Sequence, residues 1–282
     1  MKLTPIFYLA LFSLTNLLSV AAAEPVPIAE QTSPFFILDR PAVESAVGFD
    51  TSLVMVEDLR LFRIEPHLEY MVNDKIGMLA AFPLTLLLPS SGRDAIFAHG
   101  APDLGGFVIV TQRPDLDIIA RGSLSLPLAS GSAFLFPDDK LLVNINALSA
   151  RIGDASLVLP DSLILRSGLS VIKRHGLLTF RVDGLIDAPL YESNMESLER
   201  PLGHISAGVA YGARGKTQFV GEVVNLFSFN ADDTGLLHQI SAGISQRVGN
   251  GTLRFGLSTL ANTLLDDKGK VLTLSADFAA HY

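Results

Sequence analysis

From about residue 42 onward, apolar residues recur at every second position, in segments of about ten residues closed by turn chemistry. Val47, Phe49, Thr51, Leu53 and Met55 share one face of the first segment. Leu59–Val72 follows, with Phe62, Ile64, Leu68, Tyr70 and Val72 on its apolar face and Arg63, Glu65, His67 and Glu69 between them. Successive side chains of a strand point to opposite faces, so this period of two predicts strands with one greasy face and one wet face. Asn73-Asp74-Lys75 reads as a tight turn into a third strand, Ile76–Leu88. Both faces of that strand are apolar, the inward one carrying Gly77, Leu79, Ala81, Pro83, Thr85 and Leu87. The same pattern predicts strands over Asp103–Arg113, Leu116–Leu128, Leu141–Arg151, Ser162–Ile172 and Leu177–Asp187. It continues over His204–Gly212, Thr217–Phe229, His238–Val248, Thr252–Ala261 and Val271–Tyr282. Ser156–Leu159 is either a short strand or part of a loop.

The predicted connections alternate in length. Short ones fall near 73–75, 113–115, 173–176, 213–215 and 249–251, and longer ones near 89–102, 129–139, 188–201, 230–236 and 264–270. Transmembrane barrels place short turns on the periplasmic side and longer loops outside. The expected fold is therefore all-β, a transmembrane antiparallel up-and-down β-barrel of 12–14 strands over residues 42–282. An even count puts both termini on the short-turn side. The alternative is a secreted or periplasmic all-β domain, which makes the same alternation.

Residues 1–23 read as a secretory signal peptide: Lys2, an apolar run from Ile6 to Val20, then the small residues Ala21-Ala22-Ala23. Residues 24–41 hold Pro25, Pro27, Pro34 and Pro41 and read as an extended, Pro-rich periplasmic leader. No later stretch approaches the roughly 20 apolar residues of a helical span. A closed barrel is then the membrane-spanning structure open to the chain, because lipid cannot satisfy backbone polar groups. The formal net charge of -8, with no basic run, excludes a nucleic-acid partner. The absence of Cys excludes disulfides and thiolate chemistry. There is no Trp, so Phe and Tyr must form any interfacial aromatic girdle.

The last strand alternates Leu272, Leu274, Ala276, Phe278, Ala280 and Tyr282 with small or polar residues. It resembles the closing strand of bacterial outer-membrane barrels, whose terminal aromatic is read by the barrel-assembly machinery. The resemblance implies an insertion signal at Leu274, Phe278 and Tyr282. Leu59–Leu126 also resembles a family of predicted outer-membrane transporters, the meta-pathway phenol-degradation proteins. The family motifs are a Tyr-containing tight turn, an apolar-Pro-apolar step and a Gly-x-Gly-Asp. Their counterparts are Tyr70–Gly77, Phe82-Pro83-Leu84 and Gly100-Ala101-Pro102-Asp103, where Pro102 replaces the second Gly. The resemblance implies an outer-membrane location and uptake of hydrophobic or aromatic compounds, and carries over no substrate-binding residue.

Alternate positions put Arg63, Glu65, His67 and Glu69 on one face, about 7 Å apart. They read either as a solute- or metal-binding patch or as a solvated wall of cross-strand ion pairs. Asp117, Arg121, Arg166, Arg181, Asp183, Glu222, Arg247, Arg254 and Asp277 are the further expected lumen charges. Their mixed signs argue against strong ion selectivity. The expected outer loops carry Asp138-Asp139, Asp232-Asp233 and Asp266-Asp267, which could bridge to lipopolysaccharide through Ca²⁺ or Mg²⁺ or could simply be turn residues. None of the six histidines lies in a Gly-x-Ser-x-Gly or His-Glu-x-x-His motif. A strand spacing of three puts His238 and Ser241 on opposite faces.

The sequence-level expectation is an outer-membrane barrel passing small, hydrophobic or aromatic solutes passively or by facilitation. No catalytic residue, cofactor or metal ligand is assigned. The expected partners are outer-membrane lipid and lipopolysaccharide, the assembly machinery and an unidentified solute. The alternatives are a non-conducting structural or surface-interaction barrel and, further off, a lipid-modifying barrel enzyme.

Overall fold

The computed structural model describes residues 34–35, 45–56, 59–89, 95–128, 163–190, 201–229, 236–260 and 271–282. Every regular element among them is a strand. The first half contains β1 (Ala46–Val56), β2 (Leu59–Met71), β3 (Ile76–Ala81), β4 (Leu84–Pro89), β5 (Ile96–His99), β6 (Asp103–Arg113) and β7 (Leu116–Ser125). The second contains β8 (Ile164–His175), β9 (Leu178–Pro189), β10 (Leu202–Tyr211), β11 (Thr217–Ser228), β12 (Leu236–Val248), β13 (Gly251–Leu260) and β14 (Val271–His281).

All pairings are antiparallel, and β1 pairs with both β2 and β14, so the sheet closes on itself. The 14 segments fill 12 wall positions, since β3 with β4 and β5 with β6 each form one broken strand. β7 pairs directly with β8. The strands expected over Leu141–Arg151 and Ser156–Leu159 lie outside the described residues. The two ends of the wall meet where Tyr282 N–H donates to the Ser45 carbonyl at 3.1 Å. Both ends therefore lie at the rim that carries the short turns.

Two expectations are corrected here. Ile76–Leu88 is not one strand: it breaks at Phe82-Pro83. The segment 89–102 is not all loop: Ile96–His99 pairs with β4. Proline explains the break. It lacks an N–H and cannot donate to a ladder, so pairing is lost on the side where that N–H would be needed. Pro66, Pro83 and Pro102 stand on successive strand positions, and neighbouring amides bond across the break. Phe82 N donates to the Pro66 carbonyl at 3.1 Å, Gly100 N to Pro83 at 2.8 Å and Leu126 N to Pro102 at 2.8 Å. Two of the motifs behind the family resemblance, Phe82-Pro83-Leu84 and Gly100-Ala101-Pro102-Asp103, thus fall where the wall strands are interrupted.

The turns follow local chemistry. Asn73 Oδ1 accepts from the amides of Lys75 (2.9 Å) and Ile76 (3.0 Å), which closes the β2–β3 turn. The β8–β9 and β12–β13 hairpins use two-residue loops in which Gly176 and Gly249 adopt φ of 56° and 59°. Hairpin turns matched to the right-handed strand twist need that left-handed conformation.

Alternation decides the two faces. The outer surface carries Phe49, Leu68, Tyr70, Leu169, Phe180, Val182, Ile205, Phe219, Phe255 and Leu272, all exposed. Lipid is the solvent this surface suits. Tyr70, Phe180, Tyr211, Phe219 and Tyr282 cluster toward the short-turn rim and supply an aromatic girdle without Trp. Phe49 and Phe278 meet across the β1–β14 seam with ring centroids 6.0 Å apart.

Candidate functional site

The interior is the candidate site, because nearly every charged residue of the strands points there. Arg63, Glu65, His67, Glu69, Asp117, Arg121, Arg166, Arg181, Asp183, Glu222, Arg254 and Asp277 are all buried on the inward parity of their strands. Arg247 shares that parity but is half-buried near the short-turn rim. The alternation that exposes Phe180 and Val182 hides Arg181 and Asp183 between them.

These charges form local networks. Asp187 accepts two bonds from Arg166, from Nε at 2.9 Å and Nη2 at 3.2 Å, and lies 2.9 Å from His204 Nε2. Arg181 donates through Nε to Asp183 at 2.9 Å and through Nη2 to the Ser170 hydroxyl at 3.4 Å. Arg63 pairs with Glu65, Arg174 with Asp117, and Arg254 with Asp277. Ser241 donates to Glu222 at 3.0 Å, and Gln239 donates to Ser258 at 3.0 Å. A buried charge is costly unless paired, and this interior pairs its charges both along single strands and across neighbouring ones.

The four-residue patch on β2 is therefore divided. Arg63 turns to Glu65 along the strand, whereas His67 reaches toward β1 and β14. Asp50, Asp103, Asp187 and His204 also point inward, and the sequence reading did not single them out. Their signal was parity: Asp187 continues the inward series of Arg181 and Asp183, and Asp50 alternates with Phe49 and Thr51. His238 and Ser241 do lie on opposite faces. His238 Nδ1 is 2.6 Å from Asn225 Oδ1 on the outer surface, while Ser241 serves the lumen. The paired aspartates at 138–139, 232–233 and 266–267 lie outside the described residues.

The lumen is not wholly polar. Phe107, Ile109, Ile119 and Ile172 form one inward apolar cluster, and Val54, Leu61, Leu87, Ala98 and Val271 form another. A third joins Ala210, Val220, Val224 and Leu226 to Phe35, which the sequence places in the leader. Phe35 is 4% exposed, and its cluster partners on the strands all face inward, so this leader residue lies inside the barrel.

At the short-turn rim, outside the span, the exposed Asp115 carboxylate bonds to Lys173 of β8. That bond, followed by the attraction of the ammonium, holds the carboxyl below the usual carboxylate range.

A closed antiparallel barrel with a lipid-compatible exterior and a charge-bearing interior defines the class: a transmembrane β-barrel of the outer-membrane type. Solved structures agree at the level of fold. The chain is similar to the COG4313 outer membrane channel from Pseudomonas putida F1 at a TM-score of 0.56 and 11% identity, over 89% of this chain and 100% of that one. It is similar to the NanC porin at 0.54 and 7% identity, over 84% and 100%. It is similar to the KdgM porin at 0.50 and 9% identity, over 84% and 99%. No family model matches the sequence, and no curated protein matches it.

Proposed function

We propose that this protein is an outer-membrane channel through which small, partly hydrophobic solutes pass, passively or by facilitation. The observation that carries the reading is one closed sheet whose inside holds both paired charges and three apolar clusters. Mixed-sign pairs neutralise one another, so they favour neutral solutes over either class of ion. The apolar clusters offer a solute such as a substituted aromatic a place to leave water beside polar groups that orient it. Burial of the inward side chains implies a small size limit. The channel porins of the same fold support the reading. Export through residues 1–23 and insertion through Leu274, Phe278 and Tyr282 belong to the same proposal, as does a surround of lipid and lipopolysaccharide.

Liposome swelling tests it. Vesicles carrying the folded barrel should swell in small uncharged solutes, with rates falling steeply as solute size rises. Rates equal to those of protein-free vesicles for every solute would reject it.

One observation favours a second reading, a barrel that does not conduct. Phe35 occupies the interior. If Phe35→Ala vesicles swell no faster than wild type, and neither swells above protein-free vesicles, the structural or surface-interaction role stands.

A further inference from the structure

Asp50, His67 and Asp277 come from three adjacent strands, yet each offers a ligand atom, and these atoms lie within 4.8 Å of one another. We propose that they form a binding site for a divalent transition-metal cation at the seam where β1 closes the barrel between β2 and β14.

Register creates the convergence. Asp50 stands directly opposite Asp277 across the β1–β14 pair, so both side chains share the inner face. His67 stands opposite Gly48 across the β1–β2 pair, one inward step from Asp50. The glycine admits both the imidazole and the close approach of β14: a Cβ at position 48 would lie 2.8 Å from His67 Cε1 and Nε2 and nearer still to the Phe278 backbone carbonyl. Any side chain there would press on the β14 backbone as well as on the ring, and so displace the ring from the two carboxylates and disturb the β1–β14 seam. The absence of a Cβ is thus what lets His67 join the pair.

Charge points the same way. Among the described residues, the inward faces of β13, β14, β1 and β2 carry Arg63 and Arg254 against Asp50, Glu65, Glu69 and Asp277. With neutral histidines this leaves an excess of negative charge in a largely desolvated wall. Like charges placed directly opposite destabilise a strand pair. Arg254 bonds to Asp277, and a carboxylate held by an arginine on one oxygen can ligate through the other. A dication between Asp50 and Asp277 would offset the remaining charge and tie the first and last strands together. The donor set of one imidazole and two carboxylates suits Mn²⁺, Fe²⁺ or Zn²⁺, whereas Ca²⁺ takes oxygen donors.

The test is calorimetric titration of Zn²⁺ into the tag-free, EDTA-washed full-length barrel in detergent. Folding of each variant is first checked by its faster band without boiling. Wild type should bind one Zn²⁺ per chain. His67→Gln and Asp50→Asn should each weaken the Kd by about tenfold or more. Gly48→Ala, which removes no ligand but crowds both the His67 ring and the β14 backbone, should weaken it as well. His281→Gln, a lumen histidine bonded to Thr252 and outside the cluster, should leave the Kd unchanged. The proposal is overturned if wild type shows no saturable binding, or if the folded His67→Gln and Asp50→Asn barrels bind as wild type does. Binding is read at equilibrium without reference to permeation, so this result is independent of whether the barrel conducts.

Discussion

Asp187→Ala removes the acceptor at the centre of a buried charge network. Three bonds converge on this carboxylate, at 2.9 and 3.2 Å from Arg166 and 2.9 Å from His204. Arg166, Asp187 and His204 are each nearly inaccessible to solvent. Truncation leaves the Arg166 guanidinium buried without its counter-ion, and breaking such a pair from one side costs about 3–5 kcal/mol. Charged hydrogen bonds of about 1.5–3 kcal/mol each give a similar figure once the residual solvation of the freed groups is allowed for. The assay is urea unfolding of the lipid-refolded barrel, followed by far-UV circular dichroism and by loss of the fast-migrating unboiled band. The Arg166→Met, Asp187→Leu double variant should recover at least half of the loss, because it leaves no arginine charge behind. A loss below about 1 kcal/mol for Asp187→Ala would refute the reasoning. It would mean that water reaches these groups and that the lumen is hydrated at this level.

Three further outcomes follow from the structure. Val182, exposed at the middle of β9 on the outer face, should tolerate Ile, whereas Val182→Arg should destabilise the lipid-refolded barrel by about 2–4 kcal/mol in the same urea assay. Phe35→Ala should raise single-channel conductance at least twofold over wild type, because a buried phenyl ring leaves the lumen. The third concerns pH. Asp115 has its carboxyl held down by Lys173, so the contribution of this pair is fully present above the ordinary carboxylate pKa of 3.8 and is lost as pH falls through the depressed value. Wild type should therefore be slightly more stable than Lys173→Ala above pH 3.8, the margin being small because the pair is exposed, and the two should converge as pH falls through the depressed value.

The wall was legible because lipid on one side and a polar interior on the other impose a strict period of two. Arg181 between Phe180 and Val182 could not be read otherwise. The kinked region was not legible. Alternation runs unbroken through Phe82-Pro83-Leu84, and the missing N–H of Pro83 leaves no trace in hydrophobicity. Ile96–His99 is too short to stand out as a strand, and its pairing with β4 is set by the fold. Individual lumen charges could be assigned, but their partners could not. Arg166 finds Asp187 through a hairpin register, and His67 meets Asp277 only because the barrel closes, bringing together positions at opposite ends of the chain. Asp50 carries little signal because it is the single charged residue of a strand whose pattern is set by Val47, Phe49, Leu53 and Met55.

Solute passage is read most directly by planar-bilayer recording from the purified chain whose unboiled band migrates fast. An open channel gives discrete, reproducible conductance steps with weak ion selectivity, reduced by small aromatic solutes that occupy the lumen. A folded barrel that inserts into the bilayer and passes no current, both as wild type and as Phe35→Ala, would contradict solute passage.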